Sequence, residues 1–145
     1  MKNVRGPASP YIQEDGSYEQ DKVLPLGDKL YSSDFSKQKE LVDEYMNNLL
    51  DCWDYGFSDT PFNFMINCGV TVGNKVILTD LGELTWNKDE VRGLVQSKYW
   101  EKRSSFNKLE SGELKNYIRE QFNEKITLTS LDTHWNSKSS SKIIH

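Results

Sequence analysis

Apolar side chains recur at Leu41, Val42, Tyr45, Met46, Leu49, Leu50 and Trp53. Steps of three and four put them on one face of a helix, so the stripe predicts a helix over 36–55 with a core-facing side. Ser36 or Asp34 can cap its start, and Gly56 can end it. The period changes downstream. Lys75-Val76-Ile77-Leu78-Thr79 is a short apolar run following Gly73-Asn74. With the residues after Asn67 it predicts a tight β-hairpin turning at Gly73-Asn74. Upstream, Pro10–Gln13 and Ser17–Val23 flank Glu14-Asp15-Gly16 and predict a second, N-terminal hairpin, after which Pro25 and Gly27 break the pattern.

The remaining segments are shorter. Phe57–Met65 is aromatic-rich and contains Pro61, which predicts a loop or short extended piece. Asn87 and Glu90 form a capping-box pattern opening a helix to about Lys98, with Val91, Leu94 and Val95 inward. Another helix starts near Ser111 and carries Leu114, Tyr117, Ile118 and Phe122, and Thr129–Asp132 can cap a last turn containing Trp135. The Ser- and Lys-rich stretch Asn136–His145 predicts a disordered tail. The order of elements predicts an α+β fold, mostly helical, with a short N-terminal and a central β-hairpin. Its expected organisation is an N-terminal segment (1–30), a helical lobe (31–135) and the tail (136–145).

Composition narrows the function classes. The chain has 145 residues, a net charge of −4 and only 36% hydrophobic residues. Four Trp, seven Tyr and six Phe supply apolar area for one modest core. The acidic balance argues against a nucleic-acid partner, because phosphates need a basic surface. Cys52 and Cys68 form no metal-binding pair with each other or with His134 and His145, and are read as buried reduced thiols. There is no apolar run of membrane-spanning length, and Met1–Tyr11 has no apolar signal core. The expectation is a cytoplasmic protein with no membrane association.

Asp80-Leu81-Gly82 follows the second strand of the central hairpin, and Asn67 precedes the first. An aspartate at a strand end and an asparagine thirteen residues earlier can offer oxygen ligands to one hard cation. This segment resembles the catalytic core of the protein-kinase-like fold. There an asparagine closes the catalytic loop, and a hairpin leads to an Asp-Phe-Gly motif. The two residues hold magnesium ions bridging the nucleotide phosphates. The resemblance implies a kinase-like large lobe. Asn67 and Asp80 become metal ligands, Mg2+ and ATP the cofactors, and the long helix the one entering the catalytic loop. It likewise makes Ser17–Leu24 the strand entering the hinge, with Lys22, Val23 and Leu24 facing an adenine.

The departures are equally informative. Phe62 stands where the family has its catalytic aspartate, five residues before Asn67. Asp59 is the nearest upstream carboxylate and the candidate base, although its spacing to Asn67 differs. About twenty residues precede the proposed hinge, too few for a glycine-rich phosphate loop and a strand lysine. Each missing electrostatic group is worth about 3–4 kcal/mol of transition-state stabilisation. The leading expectation is a truncated kinase-like domain, catalytically weak or inactive, binding Mg-nucleotide or a protein partner. One alternative is an active atypical phosphotransferase completed by another chain. The other is a small non-enzymatic interaction protein, in which Asp80 and Asn67 are turn formers, Glu83 is a solvated carboxylate and Asp59 is a loop residue.

Overall fold

The structure is a computed structural model and describes residues 23–138. Strand β1 (Leu24–Pro25) runs directly into helix α1 (Leu26–Tyr31), which leads to the long helix α2 (Phe35–Asp54). Strand β2 (Ser58–Asp59), the one-turn helix α3 (Phe64–Asn67) and strands β3 (Cys68–Val70) and β4 (Val76–Leu78) follow. After strand β5 (Leu84–Thr85) the chain is helical: α4 (Lys88–Gln96), α5 (Ser104–Asn107), α6 (Glu113–Lys125) and α7 (Leu128–His134). Helices and two small antiparallel sheets make this an α+β fold. The predicted N-terminal hairpin lies outside the described residues, as does Lys22.

The long helix forms as its stripe predicts. Leu41, Val42, Tyr45, Met46, Leu49, Cys52 and Trp53 are buried. Its cap is Asp34 rather than Ser36, with the carboxylate accepting from the Lys37 amide at 2.9 Å. Gly56, at φ +85°, ends it in the left-handed conformation that glycine adopts most freely. Across from the helix, α6 presents Ile118 and Phe122, and the Trp100 and Phe122 rings stack with centroids 4.5 Å apart. Phe62, Phe64 and Tyr45 surround Phe122 with centroid distances of 6.1–6.2 Å. This ring cluster is the centre of the core.

The central hairpin also forms, with Cys68 opposite Leu78 and Val70 opposite Val76. Asn74 takes a positive φ of 65° in its turn. Strand β1 pairs along the other edge of β3, Leu24 opposite Val70. The free edge of β4 is covered by two side chains one helical turn apart on α2. Glu44 accepts from the Val76 amide at 2.6 Å, and the Asn48 amide donates to the Val76 carbonyl at 2.9 Å. Strand and helix are thereby joined through the backbone groups that an edge leaves unmet.

Three local expectations need correction. Pro25 and Gly27 do not break the chain into a loop. Pro25 sits before the first turn of α1, where its missing N–H is harmless. Gly27 lies against Met65, where an added Cβ would come within 2.9 Å of the Met65 Cβ. Phe57–Met65 is not wholly extended, since Phe64 and Met65 enter α3. Helix α7 is capped by Thr127, whose hydroxyl accepts from the Ser130 amide at 3.0 Å, two residues before the expected cap. Asn87 caps α4 as anticipated, accepting from the Asp89 and Glu90 amides.

Past α7 the chain turns back onto the end of α2. The Asn136 and Lys138 amides each donate at 2.9 Å, to the carbonyls of Trp53 and Asp54. The buried Asp54 carboxylate meets His134 Nδ1 and accepts from the Ser137 hydroxyl, both at 2.7 Å. Residues 136–138 thus form a hook on the helix end. Cys52 and Cys68 are buried and not joined in a disulfide.

Candidate functional site

The open end of the hairpin gathers the polar residues singled out in the sequence. Beyond the Cys68–Leu78 pair, the Asn67 carbonyl accepts from the Thr79 amide at 2.8 Å, the Thr79 hydroxyl at 3.0 Å and the Asp80 amide at 3.3 Å. Asn67 and Asp80 are therefore fastened together by backbone, independent of any side-chain contact. Asp59 arrives from another direction. Strand β2 pairs with β5, Asp59 opposite Leu84, and the Thr60 amide donates to the Glu83 carbonyl at 2.9 Å.

Helix α3 lies between Asp59 and Asn67. Its single turn contracts the segment between Asp59 and Asn67, and the Asn63 carbonyl accepts from the Asn67 amide at 2.9 Å. Asn67 Nδ2 then lies 3.4 Å from Asp59 Oδ1 and 3.3 Å from Glu83 Oε1. The amide thus spans two carboxylates, one buried and one exposed. Its two N–H groups point at those acceptors, which turns its oxygen away from both. Phe62, five residues before Asn67, is fully buried in the ring cluster.

Depth separates the carboxylates. Asp59 is 3% exposed, whereas Asp80 and Glu83 are exposed. Burial is the main reason the Asp59 carboxyl is pushed up to about 7; the Asn67 and Phe62 N–H groups oppose the rise and the charges of Glu83 and Asp80 add to it. Asp59 Oδ2 is buried without a hydrogen-bond partner. Asp80 Oδ1 accepts from the Gly82 amide at 3.0 Å, closing a tight turn. Behind the site, the Trp53 indole donates to the Ser58 hydroxyl at 2.9 Å, which donates to the Asp59 carbonyl at 3.0 Å.

Asp59, Asn67 and Asp80 are thus brought together. Val23 and Leu24 are placed elsewhere. Leu24 faces Val70 at the turn-ward end of β3, and Val23 packs against Gly69. Glu83 and Tyr45 belong to the site's surroundings more closely than their sequence context indicates. Glu83 is signalled only by following Asp-Leu-Gly, and Tyr45 by nothing beyond its place in the core stripe.

Among the described residues, no three His, Cys, Asp or Glu side chains converge as a complete metal cage. The Asn67 amide oxygen and the exposed Asp80 carboxylate are hard oxygen donors of the kind magnesium takes. That ion binds few protein groups and fills its octahedron with water and substrate phosphates. Comparisons of the chain with protein families, with curated proteins and with solved structures return no match.

Proposed function

We propose that this protein is a kinase-like large lobe that binds a magnesium-nucleotide weakly through Asn67 and Asp80 and transfers phosphate poorly, if at all, by itself. The observation that carries the reading is the convergence of Asp59 and Glu83 on Asn67 Nδ2, with Asp80 bound to the same residue's backbone. The amide oxygen of Asn67 and the second carboxylate oxygen of Asp80 would hold the ion, while Glu83 and Asp59 accept from the Asn67 Nδ2 and fix its orientation. The metal would supply charge neutralisation for phosphate oxygens. Asp59 lies beneath Asn67, and its main work is to orient that amide. A base must come within about 2.6–3.2 Å of the proton it takes, and Asp59 reaches no surface from which to do so without movement of its cover. The paired absence of a disulfide and burial of both thiols suits a cytoplasmic, reducing compartment.

Amide NMR during titration with Mg-ATP tests the reading. The Asn67, Asp80 and Gly82 resonances should shift in the wild type and stay fixed in Asp80→Ala. A wild-type spectrum that ignores Mg-ATP would remove the proposal. A protein partner is the second reading, favoured by Ile66 (64% exposed) and Leu81 (44% exposed) immediately beside Asn67 and Asp80. A photo-crosslinking residue at position 66 that captures no protein in cells would eliminate it.

A further inference from the structure

Helices α3 and α5 are single turns of four residues each. A single turn fixes its backbone for very few internal hydrogen bonds, so neither is stable without help from its surroundings. The first N–H groups of a helix must also find acceptors outside it. Neither N-cap supplies one locally: Asn63 and Arg103 make no side-chain capping bond to their own helices. The two helices cap each other instead. The Met65 amide, at the second position of α3, donates to the Ser105 hydroxyl at 3.1 Å. The Ser105 amide, at the second position of α5, donates to the Asn63 carboxamide oxygen at 3.3 Å. Asn63 and Ser105 are both buried, so an amide that loses its acceptor here is poorly placed to find water.

One end of this exchange is fixed to the core. Phe106, next to Ser105, meets Trp100 edge-on with centroids 4.9 Å apart, and Trp100 stacks on Phe122. The other end leads to the polar cluster. The Asn63 carbonyl accepts from the Ile66 and Asn67 amides at 3.1 and 2.9 Å. Asn63 thus holds α5 with its side chain and Asn67 with its backbone. We propose that Asn63 and Ser105 are positioning residues for Asn67: their exchanged caps hold α3 in the turn that directs the Asn67 amide at Asp59 and Glu83. Those two contacts are long, 3.4 and 3.3 Å, so a small displacement of α3 loses them. The consequence for metal binding rests on the reading of Asn67 proposed above; the positioning of its amide does not.

Amide NMR on Ser105 variants tests this without any nucleotide. Ser105→Ala removes the hydroxyl and keeps the amide that donates to Asn63. Exchange of the Met65 amide should accelerate by roughly tenfold, the worth of one hydrogen bond, and the Asn67 side-chain amide resonances should shift toward those of a free carboxamide. Ser105→Thr, which keeps a hydroxyl, should restore both. Ser105→Cys, close to serine in size but a weak acceptor, makes the same comparison if the alanine variant does not fold. Leu131→Ala removes buried volume from α7 and neither cap, so it should leave the Asn67 resonances in place. Asn67 resonances unmoved in the alanine or cysteine variant overturn the positioning role. So does an equal shift in Leu131→Ala, or a failure of Ser105→Thr to restore the wild-type spectrum. All of these are read without Mg-ATP, so failure here and failure of the nucleotide reading are distinguishable.

Discussion

Phe62 and Asp59 are three residues apart and both are buried, yet burial acts on them in opposite directions. Phe62 joins a ring cluster in which every atom prefers a dry surrounding. Asp59 enters the same interior with a carboxyl group whose ionised form is penalised there, and with one oxygen unpaired. The ring cluster accounts for stability. The polar cluster opposes it, and this is the expected cost of keeping a carboxylate where Asn67 can be oriented by it. Two regions joined by one short loop therefore act oppositely on stability, one adding to it and one drawing on it.

The comparison can be broken at several points. The largest effect should come from Phe122→Ala, which removes the ring touching Phe62, Phe64, Tyr45 and Trp100. A loss of about 3–5 kcal/mol in denaturant unfolding is expected. A loss below about 1 kcal/mol would show that the rings are not the centre of stability.

Asp59→Asn should act in the reverse direction. Burial pushes the folded carboxyl up to about 7 from its ordinary value of 3.8, so the folded state holds the proton more tightly than the unfolded chain. The wild type's relative stability is then fully present below pH 4 and lost as pH rises to about 7, after which it is flat. At about 1.4 kcal/mol per unit, the full excursion approaches ~4 kcal/mol. Asp59→Asn should flatten this slope, so that the variant gains on the wild type between pH 5 and pH 8. A wild-type protein that gains on the variant over that interval would contradict the assignment.

A smaller effect belongs to the hook. Asp54→Ala leaves His134 and Ser137 without their acceptor and should destabilise by about 1–3 kcal/mol in thermal unfolding. The smallest belongs to Asp80→Ala. Asp80 is exposed, so stability should change by no more than about 0.5 kcal/mol while the response to Mg-ATP is lost. If stability falls substantially instead, Asp80 serves the turn it closes with Gly82 more than a ligand.

What was legible in the sequence was local. The stripe on α2 and the Gly73-Asn74 turn declare themselves within a few residues, because helix period and turn chemistry are short-range. The contact of Asp59 with Asn67 was not legible. One helical turn lies between them at Phe64–Asn67, and that turn has too few residues to show a period. Helix α1 was hidden for a different reason. Pro25 and Gly27 look like breakers, but one lies ahead of the first turn and the other makes room for Met65. The cap of α7 is ambiguous in the sequence because Thr127 and Thr129 present the same hydroxyl, and in the fold it is Thr127 that accepts from the Ser130 amide. Tyr45 shows the limit most plainly: a periodic position predicts that a ring is buried, and says nothing of where its hydroxyl ends.

Phe62 also takes a positive φ of 53°, a conformation that non-glycine residues seldom hold. The residues most at ease there are glycine and asparagine, and neither can serve at this position. Glycine would leave a ring-sized void beside Phe122, and asparagine would bury an amide among hydrocarbons. Backbone and side chain make contradictory demands on this one site, which leaves very few acceptable amino acids. Because the same loop delivers Asp59 to Asn67, a chain drifting in sequence has little freedom to repair the strain at Phe62 without also losing the aim of its buried carboxylate.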